Sequence, residues 1–309
     1  TQVFGKTLHL LTKGVGQYVQ ESYDSIALFL CVHLVWRFKD MCHQQKDVNA
    51  HDRYWDSLHG LLWPRLQIVI KLNVQSVKDC DPQKMKIMDL RPHYVTRRYA
   101  EFSTAFISIN EKFPENNLNA ILLDMEQEIG NFIMKMASSF QQRKEQLIFV
   151  INNYDIILSI MSEKTSGESK EAEFFRTQFS ARTSEYVEVI LQPHFGELIS
   201  FVKEAESQKQ GSGTASRSPE YIGRIIVGFN SRWKNSLDAV NKEVLSSFPN
   251  FKNGTEILQT ALTQFVQYYH RFHKIVSGLN PNECSPPNRD QLINIHQLMV
   301  EVKKYKPNF

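Results

Sequence analysis

Apolar side chains recur at steps of three and four residues along most of the chain, which is the spacing of one face of an α-helix. The pattern is strongest over residues 117–163, which predicts one very long helix or two nearly collinear helices. Similar stripes follow over residues 175–202, 222–244, 257–276 and 292–302. Nothing in the chain shows the two-residue alternation of a strand, so the sequence predicts an all-α fold.

Local signals mark several helix ends. Residues 218–220, Ser-Pro-Glu, combine a capping hydroxyl, a first-turn proline and a carboxylate near the positive end of the helix dipole. Asn288 is expected to cap the last helix. Pro64 and Pro193 fall inside apolar stripes and are expected to kink or split their helices, because proline lacks the amide hydrogen and its ring clashes with the preceding turn.

A division into two helical bundles is expected near residue 113, where the helical pattern breaks. We assign residues 1–113 to an amino-terminal bundle and residues 114–309 to a carboxy-terminal bundle with long helices, and we expect the two to form one continuous rod. Residues 207–218 are rich in glycine and serine and cannot bury apolar area, so they are expected to form a flexible loop.

The longest apolar run covers residues 26–36 and includes His33. A membrane span needs about 20 apolar residues, so this run is interpreted as a buried core helix. The chain begins within a predicted helix and has no basic-then-apolar leader, which is typical of a carboxy-terminal piece of a longer protein.

Composition and charge narrow the class of protein. Hydrophobic residues make up 42% of the chain and charged residues 22%, as in a folded globular protein. Lys and Arg number 36 against 33 Asp and Glu, and this net charge of +3 is too small to indicate a nucleic-acid partner. The four cysteines form no CxxC pair, which favours a reducing, cytosolic setting.

Candidate metal chemistry is weak. A di-iron helical bundle needs paired Glu-x-x-His motifs, and diphosphate-dependent helical enzymes need aspartate-rich clusters; the chain has neither. We therefore expect no metal, no cofactor and no catalytic residue. The nearest patterns to a metal motif are interpreted as polar pairs on the surface or as aromatic packing. They are Asp40-x-x-His43, Asp56-x-x-His59 and His270-x-x-His273.

Two segments combine positive charge with aromatic residues, a pairing enriched in protein interfaces. They are residues 91–102 and the tail 302–309. Pairing with Glu101 or solvation of a helix end would also explain them, and the lysines would suit an anionic membrane surface. The candidate partner-binding residues are Arg97, Arg98 and Tyr99 in the first segment, and Lys303 and Lys304 in the second.

Short motifs in the same order along the chain resemble one family, the carboxy-terminal region of the vacuolar protein sorting-associated fifty-two family. The match spans nearly the whole chain and departs from it mainly at the Gly/Ser-rich segment. Its motifs are Asp-Arg-Tyr-Trp (52–55), Leu-Leu-Trp-Pro-Arg (61–65), Asn-Val-Gln-Ser-Val (73–77), Arg-Pro-His-Tyr-Val-Thr-Arg-Arg-Tyr-Ala-Glu-Phe (91–102), Arg-Lys-Glu-Gln-Leu (143–147), Ile-Asn-Asn-Tyr-Asp (151–155), Phe-Val-Lys-Glu-Ala-Glu (201–206), Tyr-His-Arg-Phe-His (269–273) and Leu-Ile-Asn-Ile-His-Gln-Leu-Met-Val-Glu (292–301).

The resemblance implies a non-enzymatic subunit of the Golgi-associated and endosome-associated tethering complexes, built from helical bundles stacked into an elongated rod, with the family's amino-terminal coiled coil absent from this chain. Such a subunit is expected to capture endosome-derived carriers at the trans-Golgi network, to promote SNARE-dependent fusion, and to support endocytic recycling and lysosomal sorting. The implied partners are sister subunits, syntaxin-type SNARE proteins and a Golgi Rab-family small GTPase. Membrane association is expected to be peripheral, through the complex, on the cytosolic face of the trans-Golgi network and recycling endosomes. Direct binding of an anionic membrane by this helical module is the alternative function.

Overall fold

The regular structure of the described residues is helical and contains no strand, which confirms the all-α prediction. The computed structural model describes residues 3–46, 49–85, 89–111, 116–164, 170–209, 218–279, 286 and 288–305. The helices are α1 Gly5–Glu21, α2 Ser25–Lys46, α3 Asp52–Lys78, α4 Pro82–Met85, α5 Tyr94–Asn110, α6 Asn116–Ala137, α7 Arg143–Lys164, α8 Lys170–Lys209, α9 Pro219–Ser247, α10 Phe251–Ser277 and α11 Ile295–Lys303, with a single 3-10 turn at Arg289–Gln291.

The helices group into two compact units. The first unit comprises residues 1–141 and 153–179, and the second comprises residues 142–152 and 180–309. Helix α6 packs against α3 and α5 and so belongs to the first unit. The division into a bundle of residues 1–113 and a bundle of residues 114–309, and the continuous rod, stay predictions.

In the first unit, α2 and α3 form an antiparallel hairpin. Lys39 Nζ lies 2.6 Å from Asp56 Oδ1, and His43 Nε2 lies 2.6 Å from Asp52 Oδ1, so residues later in α2 meet residues earlier in α3. Aromatic rings fill the core behind this hairpin. The ring of Phe29 in α2 stacks on Phe106 of α5 with centroids 4.7 Å apart, and both side chains are fully buried.

In the second unit, aromatic side chains from α8, α9 and α10 form the core. The ring centroids of Phe195 and Phe265 are 4.2 Å apart, and those of Phe229 and Tyr269 are 4.8 Å apart. Ion pairs also link these helices at the surface, for example between Arg271 of α10 and Glu206 of α8. Burial raises the pKa of Tyr269 to about 12, so its hydroxyl stays protonated and donates to the Ile293 carbonyl over 2.7 Å.

The chain turns back between α6 and α7, so the expected continuous or collinear arrangement of this region is wrong. The ring centroid of His93 lies 5.3 Å from that of Phe132 in α6, and its backbone amide donates to Asn153 Oδ1 of α7 over 2.9 Å. Collinear helices would place Phe132 and Asn153 about 30 Å apart at 1.5 Å per residue. The turn forms where Ser138 Oγ donates to a backbone carbonyl three residues earlier, because such side-chain bonds compete with the helix.

Pro64 and Pro193 were expected to kink or split their helices, and the expected split is wrong. Pro64 lies inside α3 and Pro193 inside α8, and both are exposed. The carbonyl that loses its amide partner to Pro64 belongs to Gly60, which is an exposed residue. Leu62 and Leu66 flank this proline and are buried, so core packing holds the helix together.

Helix α2 is apolar on both faces, which corrects its interpretation as a buried core helix. Leu28 and Phe29 are buried at 1% and 0% exposure, whereas Leu30 and Leu34 on the opposite face are 47% and 38% exposed. The apolar run therefore predicted the burial of the inner face correctly, but it did not show that the outer face is exposed. No helix in the described part of the chain is both long and apolar enough to cross a lipid bilayer.

Two expected helix ends differ in detail. Ser218 is the N-cap of α9, as predicted, but its hydroxyl donates to Glu220 Oε2 over 2.6 Å and not to the backbone. The cap of α11 is Asn294, while Asn288 precedes the 3-10 turn with a left-handed φ of 68°. Helix α8 extends to Lys209, so the start of the expected loop is helical, and residues 210–217 of that loop lie outside the described residues.

Candidate interaction surface

The amino end of α5 is fixed by a buried asparagine. Asn153 Oδ1 accepts hydrogen bonds from the backbone amide of His93 at 2.9 Å and from the hydroxyl of Thr96 at 2.8 Å. Asn153 and Thr96 are both 0% exposed. Since a buried polar group left unpaired is costly, these bonds set the rotation of α5 and decide which of its side chains face outward.

His93 also caps α5 in a way that depends on its protonation. Its Nδ1 accepts the amide hydrogen of Val95 over 3.3 Å. Burial lowers the pKa of His93, which favours the neutral ring whose Nδ1 can act as an acceptor. Protonation would convert that nitrogen into a donor and break the cap.

Tyr99 faces the core and not the surface. It is 5% exposed, and its ring centroid lies 5.8 Å from that of Phe175 in α8. This burial corrects its placement beside Arg97 and Arg98 on a surface. The sequence carried the signal, because Thr96, Tyr99 and the buried Ser103 recur at steps of three and four residues.

The outward side of α5 carries four side chains that we call the α5 patch, which are Tyr94, Arg97, Arg98 and Glu101. Tyr94 is 55% exposed, and the Arg98 guanidinium carbon lies 5.3 Å from the centroid of its ring. Arg97 Nε lies 3.1 Å from Glu101 Oε1. An exposed pair of this kind contributes about 0.3–0.5 kcal/mol, so it leaves Arg97 available to a partner.

The electrostatics of the α5 patch favour an acidic partner. The first turn of α5 contains no acidic residue, although carboxylates stabilise the positive end of a helix dipole and cations do not. Arg97 and Arg98 lie just beyond that turn and add to its positive potential. Tyr94 was missed as a surface residue from the sequence, although its spacing of four from Arg98 places the two on one side of a helix.

The two candidate lysines lie in the second unit, at the end of α11. Lys304 Nζ is 2.8 Å from Glu301 Oε1, and Lys303 is exposed. Helix α11 is held by the buried Leu298, and Tyr305 Oη donates to Asp238 Oδ1 over 2.6 Å. Because Glu301 partly neutralises Lys304, the basic character of this end is weaker than the sequence indicates.

Several side chains of the candidate metal patterns have other partners. Asp56 pairs with Lys39 at 2.6 Å, and the ring of His59 lies between those of Trp36 and Trp63, with centroid distances of 5.2 and 6.0 Å. His273 Nδ1 lies 3.4 Å from the Ser277 hydroxyl. Within the described ranges, no three His, Cys, Asp or Glu side chains come together in a group that could hold a metal ion.

Comparisons with known proteins agree with one another. The profile of the family described as "Vps52, C-terminal" matches residues 1–187. A human protein named "Vacuolar protein sorting-associated protein 52 homolog" is 47% identical over 309 residues, covering 99% of this chain and 42% of that protein. The Caenorhabditis elegans protein of the same name is 33% identical over 100% of this chain and 45% of its own length. "Vacuolar protein sorting-associated protein 52 A" of Arabidopsis thaliana is 30% identical over 100% of this chain and 43% of its own length. The chain therefore spans less than half the length of these relatives.

Proposed function

The chain belongs to the Vps52 C-terminal family, and from this membership we propose that it is a non-enzymatic part of a vesicle-tethering subunit that acts in protein sorting. The observation that carries the proposal is the 47% identity over 99% of the chain to a relative named for vacuolar protein sorting. Because the chain covers 42% of that relative, the proposed role is that of one region of a larger subunit.

In finer detail, the proposed complex captures endosome-derived carriers at the trans-Golgi network, promotes SNARE-dependent fusion and supports endocytic recycling. The chain would join it through sister subunits and would meet a syntaxin-type SNARE protein or a Golgi Rab-family GTPase. It would reach the cytosolic face of the trans-Golgi network and recycling endosomes peripherally, through the complex. These steps rest on the resemblance of the sequence to the family.

The α5 patch is the surface that we assign to partner binding. Arginine and tyrosine are the residue types that dominate binding energy in protein interfaces, and Arg97 and Arg98 are exposed beside Tyr94. Their positive potential suits an acidic segment of a SNARE, a GTPase or a sister subunit. Tyr99 supports the patch from beneath, through the core.

Charge reversal tests this assignment. The double variant Arg97→Glu with Arg98→Glu is expected to reduce pull-down of at least one of the three partner classes by about tenfold or more, because interfacial like charges cost several kcal/mol. Arg224→Glu is a matched control, since Arg224 lies 5.7 Å from the Tyr221 ring in the second unit. Unchanged capture of sister subunits, SNARE proteins and GTPase by a helical double variant would contradict the assignment.

Flotation with liposomes separates this function from the alternative of direct binding to anionic membranes. Lys303 and Lys304 would each contribute about 1 kcal/mol near an anionic surface, which is too little for stable recruitment by themselves. We expect weak flotation with anionic lipids and little change in Lys303→Glu with Lys304→Glu. Strong flotation that falls with salt and is lost in this double variant would favour the membrane-binding function.

A further inference from the structure

The outer face of α2 carries a continuous stripe of large apolar side chains that is open to solvent. We call this set the α2 stripe, and its members recur at steps of four, four, four and three residues, which is one face of a helix. A helix that is apolar on both faces is normally covered on both. The α2 stripe consists of Ile26, Leu30, Leu34, Phe38 and Met41, which are 37%, 47%, 38%, 42% and 37% exposed.

A single positive charge lies within the α2 stripe. Arg37 is exposed and forms no ion pair with any described residue. Of the neighbouring charges, Lys39 pairs with Asp56, and Asp40 lies outside the stripe, where it accepts a hydrogen bond from the neutral amide of Gln44 at 2.6 Å. The stripe itself contains no acidic residue, so the electrostatic complement of this face is a carboxylate.

This charge pattern disfavours a second copy of the chain as the occupant. Two copies packed through the same stripe would each bring Arg37 and no carboxylate to meet it. The area disfavours it as well, because five side chains about 40% exposed offer on the order of 400 Å² on each partner, whereas a stable interface buries about 800 Å² on each side. A lipid surface fits poorly too, because helices that lie on membranes carry many basic residues along a polar face.

The dimensions of the α2 stripe fit one helix. From Ile26 to Met41 it spans about 22 Å at 1.5 Å per residue, which is about four turns. An amphipathic helix laid along such a face contributes apolar residues at i, i+3 or i+4, and i+7. Such a partner covers an area of this size without requiring a large rigid interface.

We propose that the α2 stripe is the docking site for one amphipathic helix of a partner protein, about four turns long, with a carboxylate placed to meet Arg37. The apolar side chains provide the contact area and Arg37 selects the partner and its orientation. This inference is independent of the vesicle-tethering role, because an open apolar face of this kind requires a cover in any function.

Site-specific crosslinking tests the proposal in the full-length protein in cells. A photo-crosslinking amino acid replaces Leu34, and Ser57, an exposed residue of α3, is replaced in the matched control. We expect one main crosslinked protein at position 34, with the crosslink mapped by mass spectrometry to a segment that has helical apolar periodicity and an Asp or Glu within one turn. A crosslink to a second copy of this chain, a crosslink to lipid, or a yield no higher than that of the Ser57 control would overturn the proposal.

Charge variants test the selectivity of Arg37 separately. Arg37→Glu is expected to lower the crosslinking yield at position 34 by about fivefold or more, while Arg37→Lys keeps it within about twofold. Arg53→Glu, which reverses an exposed charge of α3 outside the stripe, should leave the yield unchanged. Circular dichroism melting checks that all variants fold, since each replaced side chain is exposed. Equal yields for Arg37→Glu and Arg53→Glu would show that the partner is not selected by a carboxylate.

Discussion

The two units cover their apolar side chains to different extents. Among the described residues, seventeen of the exposed large hydrophobic side chains lie in the first unit and five in the second. Ion pairs link helices at the surface of both units, such as Lys39 with Asp56 in the first and Arg271 with Glu206 in the second, so the two units differ in their exposed apolar side chains and not in their ion pairs. The difference indicates that the second unit covers most of its large apolar side chains itself. The first unit leaves apolar faces exposed that other proteins can cover.

The largest expected effect compares the core that the inner face of α2 packs against with the exposed outer face of α2. Phe106→Ala removes the ring that stacks on Phe29 and should cost about 3–5 kcal/mol of unfolding free energy. Leu30→Ala, on the outer face, should cost less than about 1 kcal/mol. Urea unfolding followed by tryptophan fluorescence reports mainly on the first unit, which holds Trp36, Trp55 and Trp63. Equal losses for the two variants would mean that the outer face is packed in the folded chain.

The loss of the buried asparagine that fixes α5 should give the next largest effect. Asn153→Ala leaves the His93 amide and the Thr96 hydroxyl without their acceptor and should cost about 1–3 kcal/mol. Asn131→Ala removes an exposed asparagine of α6, in the same unit, and should change the unfolding free energy by less than about 0.5 kcal/mol. The same urea experiment measures both. A cost for Asn153→Ala no larger than that of the control would show that α5 is held by apolar packing alone.

A smaller effect is expected from the surface ion pairs of the second unit. Arg271 and Glu206 are 40% and 43% exposed, and Arg271 also lies 4.9 Å from the ring centroid of Tyr268. Arg271→Ala should therefore cost about 0.5–1 kcal/mol, and less at high salt. Thermal melting at low and high salt, with Arg224→Ala for comparison, measures the difference. A loss of several kcal/mol that does not change with salt would contradict the screened, exposed character of this pair.

The smallest effect concerns pH. The pKa of His93 is lowered on folding, so the contribution of its neutral ring is present above the unfolded value of about 6.5 and is lost as pH falls through the lower folded value. The stability of the first unit should decrease over that acidic range. His93→Asn keeps a capping acceptor that does not titrate there and should reduce this decrease, whereas His9→Asn in α1 should not. An unchanged pH profile for His93→Asn would contradict the proposed cap.

Sequence periodicity predicted the helices well because burial of one face sets the spacing of apolar residues. It could not place the turn near Ser138, because Phe140 continues the apolar spacing although the backbone reverses. It also could not show that the α2 stripe is open, because an apolar position looks the same whether its cover lies in this chain or in another. Tyr99 was predicted at the surface because tyrosine is enriched in protein interfaces. It lies in the core because it shares the buried side of α5 with Thr96.

Hydrogen exchange of the chain, measured alone and in the complex purified from cells, tests most directly whether the first unit is the covered one. We predict that amides of residues 25–46 and 94–110 exchange at least about tenfold more slowly in the complex, while those of residues 251–277 are unchanged. Protection confined to residues 251–277, with α2 and α5 exchanging as in the isolated chain, would contradict the assignment of the first unit as the interaction surface.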